Sequence, residues 1–173
     1  MNRTDLQDSM IESRMIFING EINKDTAINV IGKLLYLDSL NSEEINIYIN
    51  SPGGSVSDGL AIIDTMELLK SKIKVIGYGT VASMAAVILA CGHKRCCLKH
   101  TRLMIHQIYG GIQGNASDVE IAYNNMMEIK KDIMEILASK VKKNVTQIEK
   151  DCERDYWMSA NEAKEYGLID EVL

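Results

Sequence analysis

"GYGTVASMAAVILACG", Gly77 to Gly92, is the stretch on which the fold turns. It opens as the end of "IKVIGYG", a β-prone run, and continues into "ASMAAVILA", small and aliphatic enough to be a short buried helix. A strand that passes straight into a buried helix is a unit of an α/β protein. One hydroxyl interrupts the run. Ser83 falls at or just inside the start of the helix, where alanine would fill a core better. It is either an N-cap or a nucleophile beside the helix's free amides and positive end.

The flanking segments repeat the alternation. Upstream, "SRMIFINGEI" reads as a strand. "KDTAINVIGKLLYLDSL" follows as a helix with Ile28, Ile31, Leu34 and Leu35 on one face. "INIYIN" is a short strand ended by "SPGG", and a helix beginning near Ser57 carries Leu60, Ile63, Met66 and Leu69 at helical spacing. Downstream, "KRCCLKH" and "RLMIHQ" are strand-like. "GGIQG" leads into a long helix from about Ser117 to Lys143, with Ala122, Met126, Ile129, Ile133 and Ile136 on one stripe. Tyr123, Met127, Met134 and Val141 widen that stripe beyond what one neighbour covers, so a second subunit is expected against it. Capping boxes are predicted at "TQIE" from Thr146 and "SANE" from Ser159. Gly167 is placed to end the last helix before a strand in "LIDEV". The sum is an α/β fold with a largely parallel sheet and right-handed crossovers.

Composition narrows the function. At 173 residues with a single proline, the chain is one domain with a real core. The apolar run Val81 to Cys91 is too short to span a bilayer, and the polar start lacks a signal peptide's apolar region. A net charge of −5 without a basic block argues against nucleic acid and anionic membrane as partners. Cys91, Cys96, Cys97 and Cys152 form no paired C-x-x-C pattern. No metal site is expected, and reduced thiols point to the cytoplasm.

Three segments offer chemistry. In "INSPGGSVSDG", Pro52 fixes φ while Gly53 and Gly54 let a ligand approach bare backbone, whose amides could receive an oxyanion; a plain β-to-α turn reads equally well. A serine nucleophile needs a base. His93 and His100 lie in polar turns, where solvated roles are expected, whereas His106 ends the apolar strand "LMIHQ" where parallel sheets keep their sites. A hydrogen-bonded core histidine is the competing reading. Asp155, beside Tyr156 and Trp157, is the candidate carboxylate to orient the imidazole. The order Ser83, His106, Asp155 excludes the α/β-hydrolase, chymotrypsin and subtilisin families, and G-x-S-x-G is absent, but a triad is defined by geometry.

The markers "YINSPGG", "GTVASMAA", "MIHQ" with "GG-Q-G-ASD-EI", "ERD" and "SANEAKEYGLID" occur in order from about Met15 to Leu173. In these the chain resembles the proteolytic subunits of the Clp protease family. The resemblance implies repeated β-β-α superhelical units in one domain, 15–173. A protruding handle of a strand and a long helix is implied at about 108–143. It implies an ATP-dependent serine endopeptidase with Ser83 as nucleophile, His106 as base and acid, and Asp155 orienting it. The backbone amides of Gly54 and Met84 would form the oxyanion hole, and Gly53, Gly54, Ile108 and Gly110 would bind an extended, unfolded polypeptide. It further implies two stacked seven-membered rings fed by an AAA+ unfoldase, which uses the ATP; this chain would need no cofactor. Departures are Ile108 where many members have proline, Ala85 where glycine is usual, a slightly shortened "CGHKRCC" turn, and only a short polar leader at 1–14. That leader leaves pore-lining and unfoldase-docking segments reduced. The competing readings are a ring-forming regulatory paralogue without activity, a crotonase-type acyl-CoA enzyme, and a Ser–Lys peptidase.

Overall fold

In the computed structural model, which describes residues 9–173, the β-branched runs form a 7-stranded sheet. Its strands are β1 (Met15–Asn19), β2 (Ile45–Ser51), β3 (Ile73–Ala82), β4 (Lys94–Cys97), β5 (Arg102–Ile105), β6 (Tyr156–Ser159) and β7 (Glu171–Val172). Strict alternation in "INIYINS" turns Ile45, Ile47 and Ile49 to one buried face of β2. All pairings are parallel except that of β5 with β6. Such parallel order needs helical crossovers. They are α1 (Lys24–Leu40), α2 (Val56–Leu68), α3 (Met84–Ala90), α4 (Ala116–Val141), α5 (Val145–Asp151) and α6 (Ala160–Tyr166). The mixed α/β architecture expected from the sequence is present.

The sheet forks at β3. Its first half, Lys74 to Gly77, pairs with β4, while Thr80 to Ala82 pair with β5. On its other edge the register against β2 shifts between Ile49↔Gly77 and Ser51↔Val81. Both changes fall at Tyr78–Gly79, and Gly79 has φ +63, a conformation costly for any residue with a Cβ. The strand then runs to Ala82, further than the sequence suggests, and α3 begins after Ser83. Every residue of α3 is buried, as its small side chains require.

Helix faces differ in detail from the periodicity. In α1 the buried residues are Ala27, Val30, Leu34 and Leu37, while Ile28 and Leu35 are exposed. The apolar residues of α1 wrap more than one face, and the sheet takes the face that includes Ala27. In α2, Gly59, Ile62, Ile63 and Met66 are buried and Ser55 caps the start. Helix α4 buries only Ile133, Met134, Leu137, Ala138 and Val141 in its second half; Ile121, Tyr123 and Met127 in its first half are exposed. The stripe is continuous, but the fold covers only one end. Residues 106–112 carry no regular secondary structure, so the strand expected in the handle is not formed here. An extended segment becomes a strand only beside another strand.

Ser159 and Glu162 make the expected capping box, and Gly167 ends α6 with φ +92. Thr146 does not cap: Asn144 does, its side chain accepting from the Gln147 amide. The helix starts at Val145, so Asn144 holds the N-cap position and Thr146 lies inside the first turn. Of the leader, residues 1–8 lie outside the described residues. Arg14, its last residue, is buried and donates to the carbonyls of Leu37 (3.1 Å) and Glu43 (2.8 Å) and to Ser71 Oγ (3.2 Å). It thereby ties the last turn of α1 to the link that leads into β2.

Candidate active site

Ladder register carries three distant residues to one place. Strand β3 pairs with β5 up to Ala82↔Met104, and the Ser83 amide continues the ladder by donating to the Met104 carbonyl at 2.9 Å. Strand β5 pairs with β6 down to Ile105↔Tyr156. One step beyond these ladders lie Ser83, His106 and Asp155. The ends of β3, β5 and β6 therefore converge, and sequence separation ceases to matter.

The side chains meet. His106 Nε2 is 2.7 Å from Ser83 Oγ, and His106 Nδ1 is 3.3 Å from Asp155 Oδ1. An ionised carboxylate only accepts, so it places the ring proton on Nδ1 and leaves the Nε2 lone pair to accept from the serine hydroxyl. The second distance is long beside the roughly 2.7–2.9 Å of a tight N–H to carboxylate bond. Asp155 is also 60% exposed, on the short link between α5 and β6. Gln107 holds that link against β5: its amide donates to the Cys152 carbonyl at 2.7 Å and its side chain to the Glu153 carbonyl at 3.1 Å. In the sequence Gln107 is only the last residue of "MIHQ", and this role was not legible there, since its two partners lie far along the chain.

Ser83 has φ +56 and ψ −128, and its side chain makes no cap bond to the helix. The N-cap reading thus loses to the one that turns Oγ outward. A non-glycine residue held at positive φ costs on the order of 1–3 kcal/mol and persists only where its surroundings enforce it. Here the amide bond to Met104 and the buried start of α3 do so.

The glycine turn packs directly against this corner. Gly53 has φ +97, and a Cβ there would stand 2.7 Å from Ser83 Cβ and 3.0 Å from the Met84 nitrogen. Gly54 has φ +149, and a Cβ there would stand 2.2 Å from the Ile22 carbonyl oxygen. Ile22 brackets Gly54, donating to the Gly53 carbonyl (2.9 Å) and accepting from Ser55 N–H (2.8 Å). In a parallel pair so bracketed, the middle residue directs its own N–H and C=O to the opposite side. Gly54 thus offers an open strand edge. Met84, first in α3, keeps a free N–H by the geometry of helix starts.

A small hollow of about 30 Å³ beside Ser83 is lined by Val56, Met84, Val87, Ile108 and Ile133. A wider cleft of about 510 Å³ runs past His106, Ile108, Tyr109 and Asp155. Gly110, the remaining expected contact, lines neither, and nothing stands within 4 Å of where its Cβ would be. His100 is exposed. His93 is not merely solvated: its Nδ1 accepts from the Ile73 amide at 3.2 Å, and desolvation, then nearby Lys72, lowers its pKa. All the cysteines are buried and free. Burial pushes Cys91 and Cys152 up to about 12 and Cys97 up to about 11, which leaves them without thiolate at neutral pH. Among the described residues no cluster of His, Cys, Asp and Glu could hold a metal, and no helix is long and apolar enough to cross a membrane.

A hydroxyl, an imidazole and a carboxylate in line, beside free amides at a sheet end, are the arrangement of the serine hydrolases. The Clp protease family model matches residues 1–173, and the ATP-dependent Clp protease proteolytic subunit of Carsonella ruddii (strain PV) is 47% identical over 171 residues, 98% of this chain and 88% of that protein. The chain belongs to the Clp protease family. That membership displaces the acyl-CoA reading of the same sheet-and-helix architecture.

Proposed function

We propose that this chain is the proteolytic subunit of an ATP-dependent Clp-type protease and cleaves unfolded polypeptide through Ser83, His106 and Asp155. The observation that carries the reading is the 2.7 Å contact between His106 Nε2 and Ser83 Oγ. As Oγ attacks the scissile carbonyl, Nε2 takes its proton, and Asp155 stabilises the imidazolium through Nδ1. The carbonyl oxygen becomes an anion, which the amides of Gly54 and Met84 receive. His106 then passes the proton to the leaving amine. Water, deprotonated by the same ring, hydrolyses the acyl-enzyme.

An extended peptide pairs along the open edge at Gly54, so main-chain hydrogen bonds hold it with little demand on sequence. The apolar hollow lined by Val56, Met84 and Val87 takes a small apolar side chain next to the cut. Every group this cycle uses is a side chain or amide of the chain, so no cofactor is called for; ATP belongs to an AAA+ unfoldase that delivers the substrate. The exposed apolar first half of α4, with Ile121, Tyr123 and Met127, fits a handle that packs against a second copy in two stacked seven-membered rings. The cytoplasm is the expected compartment for four free cysteines.

A fluorophosphonate probe tests the reading. The assembled protein should label on Ser83 and hydrolyse a short fluorogenic peptide, and Ser83→Ala should lose both while keeping its particle size. Peptide hydrolysis that survives in Ser83→Ala would overturn it, and an unlabelled, inactive parent would point to the regulatory paralogue instead.

A further inference from the structure

The register shift in β3 has a consequence for where Ser83 stands. Between the pairs Ile49↔Gly77 and Ser51↔Val81, one residue of β2, Asn50, faces Tyr78, Gly79 and Thr80 of β3. Had the strands stayed in step, Gly79 would face Ser51, and Ser83 would lie two residues further along, about 6.6 Å at the rise of a parallel strand. The bulge instead brings Ser83 level with Gly53, which is where the contact between them is found. The same residues hand β3 from β4 to β5, and His106 follows the last residue of β5.

We propose that Asn50 is a positioning residue that latches this bulge and so aligns Ser83 with the Gly53–Gly54 amides; the proposal rests on the serine-hydrolase reading of the site. Its side-chain oxygen accepts from the Thr80 amide at 3.0 Å, replacing the strand partner that the bulge removes. The amide lies flat on Gly79: a Cβ there would stand 2.8 Å from Asn50 Oδ1 and 3.0 Å from its Cγ. Asparagine and glycine are thus fitted to each other. Glycine makes room for the amide, and the amide satisfies the backbone that glycine's conformation leaves unpaired. A second tie, Tyr78 Oη donating to Asn19 Oδ1 at 2.5 Å, holds the bulge to the end of β1. Asn50 touches neither the triad nor the glycine amides in this structure; its effect passes through the backbone of Thr80 to Ser83.

The test is steady-state hydrolysis of a fluorogenic peptide by the assembled protein, together with inhibition by a peptide boronate, which must form a tetrahedral adduct on Ser83. Displacing a nucleophile by an ångström can cost roughly 100-fold. Asn50→Ala should therefore lower kcat by tens- to a hundredfold with KM within about threefold, and weaken the boronate by the same factor. Asn50→Asp, which keeps the accepting oxygen, should recover most of kcat. Gly79→Ala should reproduce the alanine defect by displacing the amide, and the double variant should fall no further than the worse single. If Asn50→Ala fails to assemble, Gly79→Ala carries the same requirement. An Asn50→Ala enzyme within threefold of the parent, a loss confined to KM, or multiplicative defects in the double variant would each overturn the proposal. Failure of the underlying reading looks different: Ser83→Ala would then stay active.

Discussion

Gly53 lies against Ser83 so closely that a methyl group on it would stand 2.7 Å from Ser83 Cβ and 2.8 Å from the Ala82 carbonyl oxygen. No relaxed structure holds carbon atoms at that distance. At this position the fold itself asks for glycine only through φ +97, but the contact makes the same residue a determinant of where Ser83 stands. Gly53→Ala should therefore lose at least a hundredfold in peptide hydrolysis, with Ser83 labelling slowed in parallel. Rates near the parent's would show that the corner is free to move.

In the proposed mechanism Asp155 acts less by charge than by orientation. At 60% exposure its field is screened by water, but its contact with Nδ1 favours the tautomer of His106 that carries the proton there. Asp155→Asn can donate to Nδ1 and so favours the wrong tautomer, which in a triad costs about 10⁴ in kcat. Asp155→Ala leaves the tautomer free and should be the milder lesion. Comparison of kcat for the two variants checks this; an asparagine variant more active than the alanine one would contradict it.

Thiol chemistry separates the serine reading from any cysteine one. The Cys152 carbonyl receives the amide of Gln107, the residue after His106, but burial raises the Cys152 thiol to about 12. At pH 7 to 8 iodoacetamide should leave peptidase activity intact in the native particle, while denaturation should make all the cysteines reactive. Rapid inactivation by the reagent in the native state would count against Ser83 as the sole nucleophile.

What could be read in the sequence followed its locality. The alternation of β-branched and helical runs announced the fold, because each signal is contained within a dozen residues. The Ser159 capping box and the Gly167 stop were visible for the same reason. Ser83, His106 and Asp155 could be nominated from their positions at strand ends, but their meeting depends on the β3–β5 and β5–β6 registers, which no single segment encodes. The bulge at Gly79 was invisible: a glycine in a strand has many meanings, and its partner Asn50 lies in another strand. Thr146 shows the opposite hazard. A motif complete in sequence lost to Asn144, because caps are decided by where the helix enters. Ile28 and Leu35 were misplaced because α1 is apolar on more than one face, and only the sheet's position chooses between them.

Arg95 gives the last prediction, and it concerns acid stability. Its guanidinium donates to Asp170, to the Lys140 carbonyl at 3.1 Å and to the Gly167 carbonyl at 2.9 Å, binding β4 to the ends of α4 and α6. The hydrogen bond from Arg95, then its backbone amide and charge, hold the Asp170 carboxyl below its usual range despite some desolvation. A group whose pKa is lowered by folding adds stability above its unfolded value, about 3.9, and that stability is lost as pH falls through the lower folded value. Asp170→Asn should therefore lower Tm by a nearly constant amount above about pH 5, and the gap to the parent should close below about pH 4. Arg95→Ala should destabilise more at every pH, because it also leaves two helix-end carbonyls without a donor. Thermal melts from pH 3 to 7 decide the matter; a gap that stays constant down to pH 3 would mean that the Asp170 carboxylate adds nothing through its charge.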